Sequence, residues 1–186
     1  MTHVAPVVPA PEPWRGVFAP AYGVPVGGLV GIGFATHPDS GHDLVLAVSH
    51  SGHGLFDAVT GERIARDDDP DPEDALPDEA SGLSCPGLGP IAGSRVRIAG
   101  LFGGGLCTTT ENGWTLEVAA PARSSERVLL SRAGQEGERR WHLYDPDCSE
   151  LRTAGFSPSG QTLAVATSSD LALWTRRAAG GPGVRP

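Results

Sequence analysis

Four histidines, His37, His42, His50 and His53, fall within 17 residues, and Asp39 and Asp43 lie among them. Imidazole nitrogens and carboxylates at this density are the donor set of a transition-metal site, with His50 and His53 the best-placed pair. The run between them argues against a single site. Leu44 to Ser49 reads as a strand, which puts His37 and His42 at one end and His50 and His53 at the other. About six strand residues separate those ends by roughly 20 Å. Ordinary loop histidines are therefore expected, with no metal and no cofactor.

Ser49-His50-Ser51-Gly52-His53-Gly54 sets hydroxyls beside imidazoles, the pairing from which a serine nucleophile is built. Such a serine also needs an oxyanion donor pair, and often a Gly-x-Ser-x-Gly elbow leading into a helix. The stretch lacks that spacing and lies between two strands, so it reads as a hairpin turn. Gly103-Gly104-Gly105 is not followed by Lys-Ser or Lys-Thr, so a phosphate loop gives way to close strand packing or a bulge. Asp67, Asp68, Asp69, Asp71, Glu73, Asp74, Asp78 and Glu79 put eight carboxylates and no base into 13 residues. Prolines interrupt the run and no Asp-x-Asp-x-Asp-Gly pattern is present, which argues against a calcium loop. Residues 67–82 are expected to be a charged, poorly ordered surface loop that only Ala75 and Leu76 anchor. It can present an acidic face that steers a basic partner.

Taking those eight acids from 22 leaves 14, equal to the 14 bases, so the net charge of −8 belongs to this one segment. Every base is arginine and none clusters into a basic stripe, so nucleic-acid binding is not expected. No apolar run approaches the roughly 18 residues that a membrane helix needs, and Met1-Thr2-His3 lacks the basic start of a signal peptide. A cytoplasmic protein without membrane contact follows as the expectation. Cys85, Cys107 and Cys148 form no Cys-x-x-Cys pair and read as reduced thiols.

The elements that carry these residues repeat. Gly33-Phe34, a Pro38-Asp39-Ser40-Gly41 turn and Leu44 to Val48 match Gly155-Phe156, Ser157-Pro158-Ser159-Gly160 and Leu163 to Thr167. A second match relates Leu55-Phe56-Asp57 and the turn at Thr60-Gly61 to Leu143-Tyr144-Asp145 and the turn at Cys148-Ser149. The offsets, 122 and 88 residues, lie near multiples of about 40, the period of four-stranded propeller blades. A further hairpin is expected between Leu106 to Thr110 and Trp114 to Val118, across Glu111-Asn112-Gly113.

Residues 155–176, with a Phe-Ser-Pro-polar-Gly turn, a small-residue strand and a third strand ending at Trp174, resemble a blade of the tryptophan-aspartate (WD) repeat propellers. Thr175 stands where those blades carry aspartate. Residues 33–66 resemble a second blade, including its Asp57-x-x-Thr60-Gly61 turn. The resemblance implies an all-β fold, a small or incomplete β-propeller-like array of about four antiparallel sheets, with one or two blades short of strands. Residues 1–13 are expected to be extended, residues 14–177 to form the domain, and residues 178–186 to be a flexible tail.

Trp14 to Phe18 is the segment suited to close the C-terminal sheet, burying Trp14 or Phe18. Trp14 also lies outside the repeat, which makes it the aromatic residue expected to contact a partner. The function expected is a non-catalytic protein-binding module, a scaffold, adaptor or immunity-type inhibitor. Asp67, Asp68, Asp69, Asp71, Glu73, Asp74 and Trp14 would face a basic protein. The alternative is a small-ligand binder or hydrolase with its site at the propeller mouth.

Overall fold

The computed structural model describes residues 7–18, 23–122, 125–132, 139–144 and 149–177. Its strands begin with β1 (Arg15–Gly16), β2 (Val24–Pro25), β3 (Leu29–Thr36), β4 (Asp43–Ser49), β5 (Gly52–Asp57), β6 (Arg63–Asp67), β7 (Ser84–Pro86) and β8 (Arg95–Arg97). They continue with β9 (Ala99–Gly100), β10 (Trp114–Ala122), β11 (Ser125–Arg132), β12 (Arg139–Tyr144), β13 (Leu151–Phe156), β14 (Thr162–Thr167) and β15 (Asp170–Thr175). Among the described residues the only helical element is a 3-10 turn at Gly89–Ile91, and no helix is long and apolar enough to cross a membrane. The chain is all-β, built from antiparallel sheets, none of which closes on itself.

Two meanders dominate. β3 to β6 pair in sequence, with β9 added beside β3, and β13 to β15 pair in sequence, with β1 and β2 added beside β15. β4 and β14 are buried along their whole length because each sheet is covered on both faces, which is why both read as unbroken apolar runs. β10, β11 and β12 form a third sheet, and β7 with β8 a two-stranded ribbon.

The register corrects the repeat as read from sequence. Phe34 pairs with Val45, and Val45 with Phe56; Phe156 pairs with Leu163, and Leu163 with Trp174. Val45, not Leu44, is thus the counterpart of Leu163. A one-residue slip would turn every side chain of the strand to the other face.

That parity decides the packing. Val45, Ala47 and Phe56 meet Ala164, Ala166, Leu171 and Leu173 of the C-terminal sheet. The opposite face of the C-terminal sheet, Leu163 and Val165, packs on Trp114, Leu116, Val128 and Leu130. Leu44, Leu46 and Val48 turn the other way, onto Cys85, Val96 and Ile98. The two meanders therefore stack in the same sense, the front of one on the back of the next.

A polar contact pins the junction. The Asp43 carboxylate, 6% exposed, accepts hydrogen bonds from Ser157 Oγ (2.8 Å), Ser159 Oγ (2.7 Å) and Thr162 Oγ1 (2.8 Å). These residues lie at the corresponding turns of the two meanders, so the repeat binds to itself there.

The N-terminal segment is not extended through residue 13. The Trp14 N–H donates to the Pro11 carbonyl (2.9 Å), closing a tight turn that contains a cis Glu12–Pro13 bond. β1 then pairs with β15, Arg15 opposite Thr175 and Gly16 opposite Trp174. The expected hairpin across Glu111-Asn112-Gly113 forms next to its turn: Thr109 bridges Thr115, the Thr110 N–H donates to the Trp114 carbonyl (2.9 Å) and the Leu116 N–H to the Thr108 carbonyl (2.8 Å), whereas Cys107 bridges to Phe156 of β13. The partner along the length of β10 is β11, through a hairpin the sequence reading did not assign. Cys148, the turn at 145–148 and the tail at 178–186 lie outside the described residues.

Candidate interaction surface

The acidic segment starts on a strand. Asp67 is the last residue of β6, paired with His53, and its side chain accepts the Asp69 N–H at 3.1 Å. Asp68 pairs with the Arg66 guanidinium, and Asp74 with Arg95 at 2.8 Å. Asp69, Asp71 and Glu73 are exposed, with no side-chain partner among the described residues. Such a surface attracts cations at long range while its exposed ion pairs add little stability.

More holds the segment than was expected. Besides Ala75, whose carbonyl takes the His53 Nε2–H at 3.0 Å, and Leu76, which packs on the β4 core, Pro77 is buried and Asp74 is tied to β8 through Arg95. Asp78 accepts the Ser81 N–H at 2.7 Å, and that hydrogen bond is the first cause of a carboxyl pKa below its ordinary value. The segment is a surface run of turns, held to the sheet at more points than Ala75 and Leu76 alone.

Trp14 is not available to a partner. It is 3% exposed, 5.9 Å from the Trp114 ring and 5.6 Å from Phe156, with the Arg176 guanidinium 5.0 Å above it. The borrowed strand brings it inside, so its role is structural.

The sequence reading missed a pair of residues on the surface. Leu101 and Phe102 are 46% and 47% exposed, at the tip of a two-residue turn. Gly100 and Gly103 exchange backbone hydrogen bonds of 2.9 and 3.0 Å beneath that tip, and the Leu101 N–H donates to Val30 on β3 (2.9 Å). Gly103 has a φ of +111°, a conformation side chains resist, and a Cβ on Gly100 would collide with the Val30 carbonyl. Glycine thus lets the turn lie against the sheet edge, and the turn holds two large apolar side chains in water. The signal was present: Gly100-Leu101-Phe102-Gly103 puts apolar residues where hairpin tips usually carry Asn, Asp or Gly.

This tip adjoins the end of the acidic segment. The Leu83 carbonyl accepts the Ile98 N–H at 2.7 Å, while the Leu83 N–H donates to the Asp78 carbonyl, also at 2.7 Å. Leu83 therefore joins Asp78 and Glu79 to the chain that carries Leu101 and Phe102.

The histidines serve separate local structures. His37 Nδ1 accepts the Asp39 N–H (3.1 Å), His42 Nδ1 meets Asp57 Oδ2 (2.7 Å), and His53 is held by Ala75. Among the described residues no group of three or more His, Cys, Asp or Glu is placed to hold a metal ion. His50 and Ser51 occupy the turn between β4 and β5. Burial would raise the Asp57 pKa, but hydrogen bonds from His42, Thr60 and Val59 outweigh it and hold the carboxyl below its ordinary value. Cys85 is buried, which pushes its thiol up to about 11, while Cys107 is exposed; both are free.

No protein-family model matches the chain, and comparisons with curated proteins and with solved structures return no significant match.

Proposed function

We propose that the protein is a non-catalytic protein-binding module whose sheets form a propeller-like array. Support for the array comes from the front-to-back stacking of the two meanders, the packing a ring of blades needs. The WD-type resemblance of residues 33–66 and 155–176 agrees with it.

The observation that carries the binding role is the Leu101–Phe102 tip beside the acidic segment. A pair of large apolar side chains exposed to water is the anatomy of an interface anchor, and the acidic segment joined to the same stretch of chain through Leu83 adds a negative field that would attract a basic partner. The partner this fits has an apolar recess bordered by Lys or Arg. A second copy of the chain suits it poorly, because two chains of net charge −8 would repel.

The test is capture from a host extract with the immobilised full chain, compared with a Leu101→Ser, Phe102→Ser double variant. Both residues are exposed, so the fold should survive. A basic protein retained by the wild type, lost with the variant and weakened by salt is the expected result. Equal retention by both chains would overturn the assignment of the tip.

A further inference from the structure

A cavity of about 540 Å³ lies between the N-terminal segment and the outer strands of the first meander. Phe18, Val24, Val26 and Phe56 give it an apolar wall, in which the Phe18 and Phe56 rings meet edge to face at 6.3 Å, and Gly52 and Gly54 of β5 also line it. Its volume is within the range of small-molecule sites, roughly 300–1,000 Å³. No residue of β7 to β15 lines it, so it is not a mouth where loops from several sheets converge.

The charge of the lining is opposite to that of the molecule. The chain carries 22 acids against 14 arginines, yet the cavity is lined by Arg63 and Arg66 and by no carboxylate. Arg66 shares its charge with Asp68, whereas Arg63 has no partner among the described residues. Ser51 adds a hydroxyl to the lining. The His53 ring turns away from the cavity, to the Val48 face of the sheet, where the Ala75 carbonyl holds it. Planar guanidinium donors and a hydroxyl beside aromatic and aliphatic walls are complementary to an apolar body carrying a single anionic group.

We infer that this cavity binds a small amphipathic anion, with its carboxylate, sulfonate or phosphate on Arg63 and its apolar body against the wall that Phe18, Phe56, Val24 and Val26 form together. This site is separate from the Leu101–Phe102 tip and stands whether or not that tip binds a protein.

Two fluorescent probes that share an apolar body test the inference on the full chain. 8-Anilinonaphthalene-1-sulfonate carries the anion, and N-phenyl-1-naphthylamine lacks it. The sulfonate is expected to bind with 1:1 stoichiometry and about tenfold more tightly than the neutral probe, the value of roughly one charge-assisted hydrogen bond. It should shift the backbone amide resonances of Gly52 and Gly54. Arg63→Gln, at an exposed position, should reduce sulfonate affinity to that of the neutral probe and leave the neutral probe unchanged. Equal affinity for the two probes in the wild type would overturn the inference. So would an unchanged sulfonate affinity in Arg63→Gln, or amide shifts confined to other parts of the chain.

Discussion

The sheet of residues 29–67 takes its outer strand, Arg63–Asp67, from the next stretch of chain, whereas the sheet of residues 151–175 takes Arg15–Gly16 and Val24–Pro25 from the opposite end. Up to that point the two are alike. Each has a long turn, a buried central strand, a two-residue turn and a third strand with an aromatic one position before its end, Phe56 in one and Trp174 in the other. The chain then separates their fates. Asp57 closes a local turn by accepting the N–H groups of Val59 (2.8 Å) and Thr60 (3.0 Å), and β6 follows. At the corresponding position the Thr175 hydroxyl likewise accepts the N–H two residues on, that of Arg177 (3.1 Å), but the strand that covers the edge of β15 comes from residues 15–16 and 24–25. The like turn contacts are followed by a local outer strand in one sheet and met by a distant one in the other. An open edge is a pairing hazard, which explains why a short foreign strand is worth ordering.

The strongest way to break this comparison is at Trp14. Trp14→Ala should cost about 3–5 kcal/mol in urea denaturation, the range for a buried tryptophan. Its effect should be lopsided. Native-state hydrogen exchange should lose protection in residues 162–175 before residues 44–57, and a uniform loss would mean that the two sheets do not differ in this way.

The likeness can be tested at the paired glycines. A Cβ on Gly33 would collide with the Arg97 carbonyl, and one on Gly155 with Leu106, because a neighbouring segment crosses each first strand there. Gly33→Ala and Gly155→Ala should each destabilise by about 1–3 kcal/mol, as overpacking does. A melting temperature unchanged in either variant would show that its crossing is looser than the geometry requires.

The smallest effect concerns acid. The folded pKa of Asp57 lies below its ordinary value of 3.8, so the carboxylate contributes stability that is fully present above pH 3.8. That contribution fades as the pH falls through the lower, folded value. Asp57→Asn should therefore flatten the acid limb of the stability curve below about pH 4 and change the slope near neutrality little. Thr175→Ala, at the matching site in the other sheet, should leave the acid limb as it is, since it removes no titrating group. An acid limb identical in wild type and Asp57→Asn would remove Asp57 from this account.

Much of the architecture was legible because it is local. Alternation, Gly/Pro/Ser turns and aromatic positions marked both meanders, and the separation of the histidines followed from the length of one strand. The acidic segment was visible as composition, and its charge does not depend on the fold. The Leu101–Phe102 tip was overlooked because two apolar residues between glycines read equally well as a strand passing through a core.

The residues by themselves determined an all-β chain with two like meanders, a hairpin turn at His50-Ser51, and one acidic segment. These follow from interactions within a few residues of one another, which the sequence displays directly. Tertiary structure alone decided the rest. Phe34 and Val45 lie 11 positions apart and Phe156 and Leu163 lie 7 apart, so the turn lengths left the register open until the faces met. Whether Trp14 would be surface or core depended on an edge 160 residues away at Trp174, and Arg63 lines a cavity only because Phe18 and residues 24–27, about 40 positions earlier, line it too. Each of these outcomes comes from burying one particular face against another, and that free energy is shared between segments far apart in the chain.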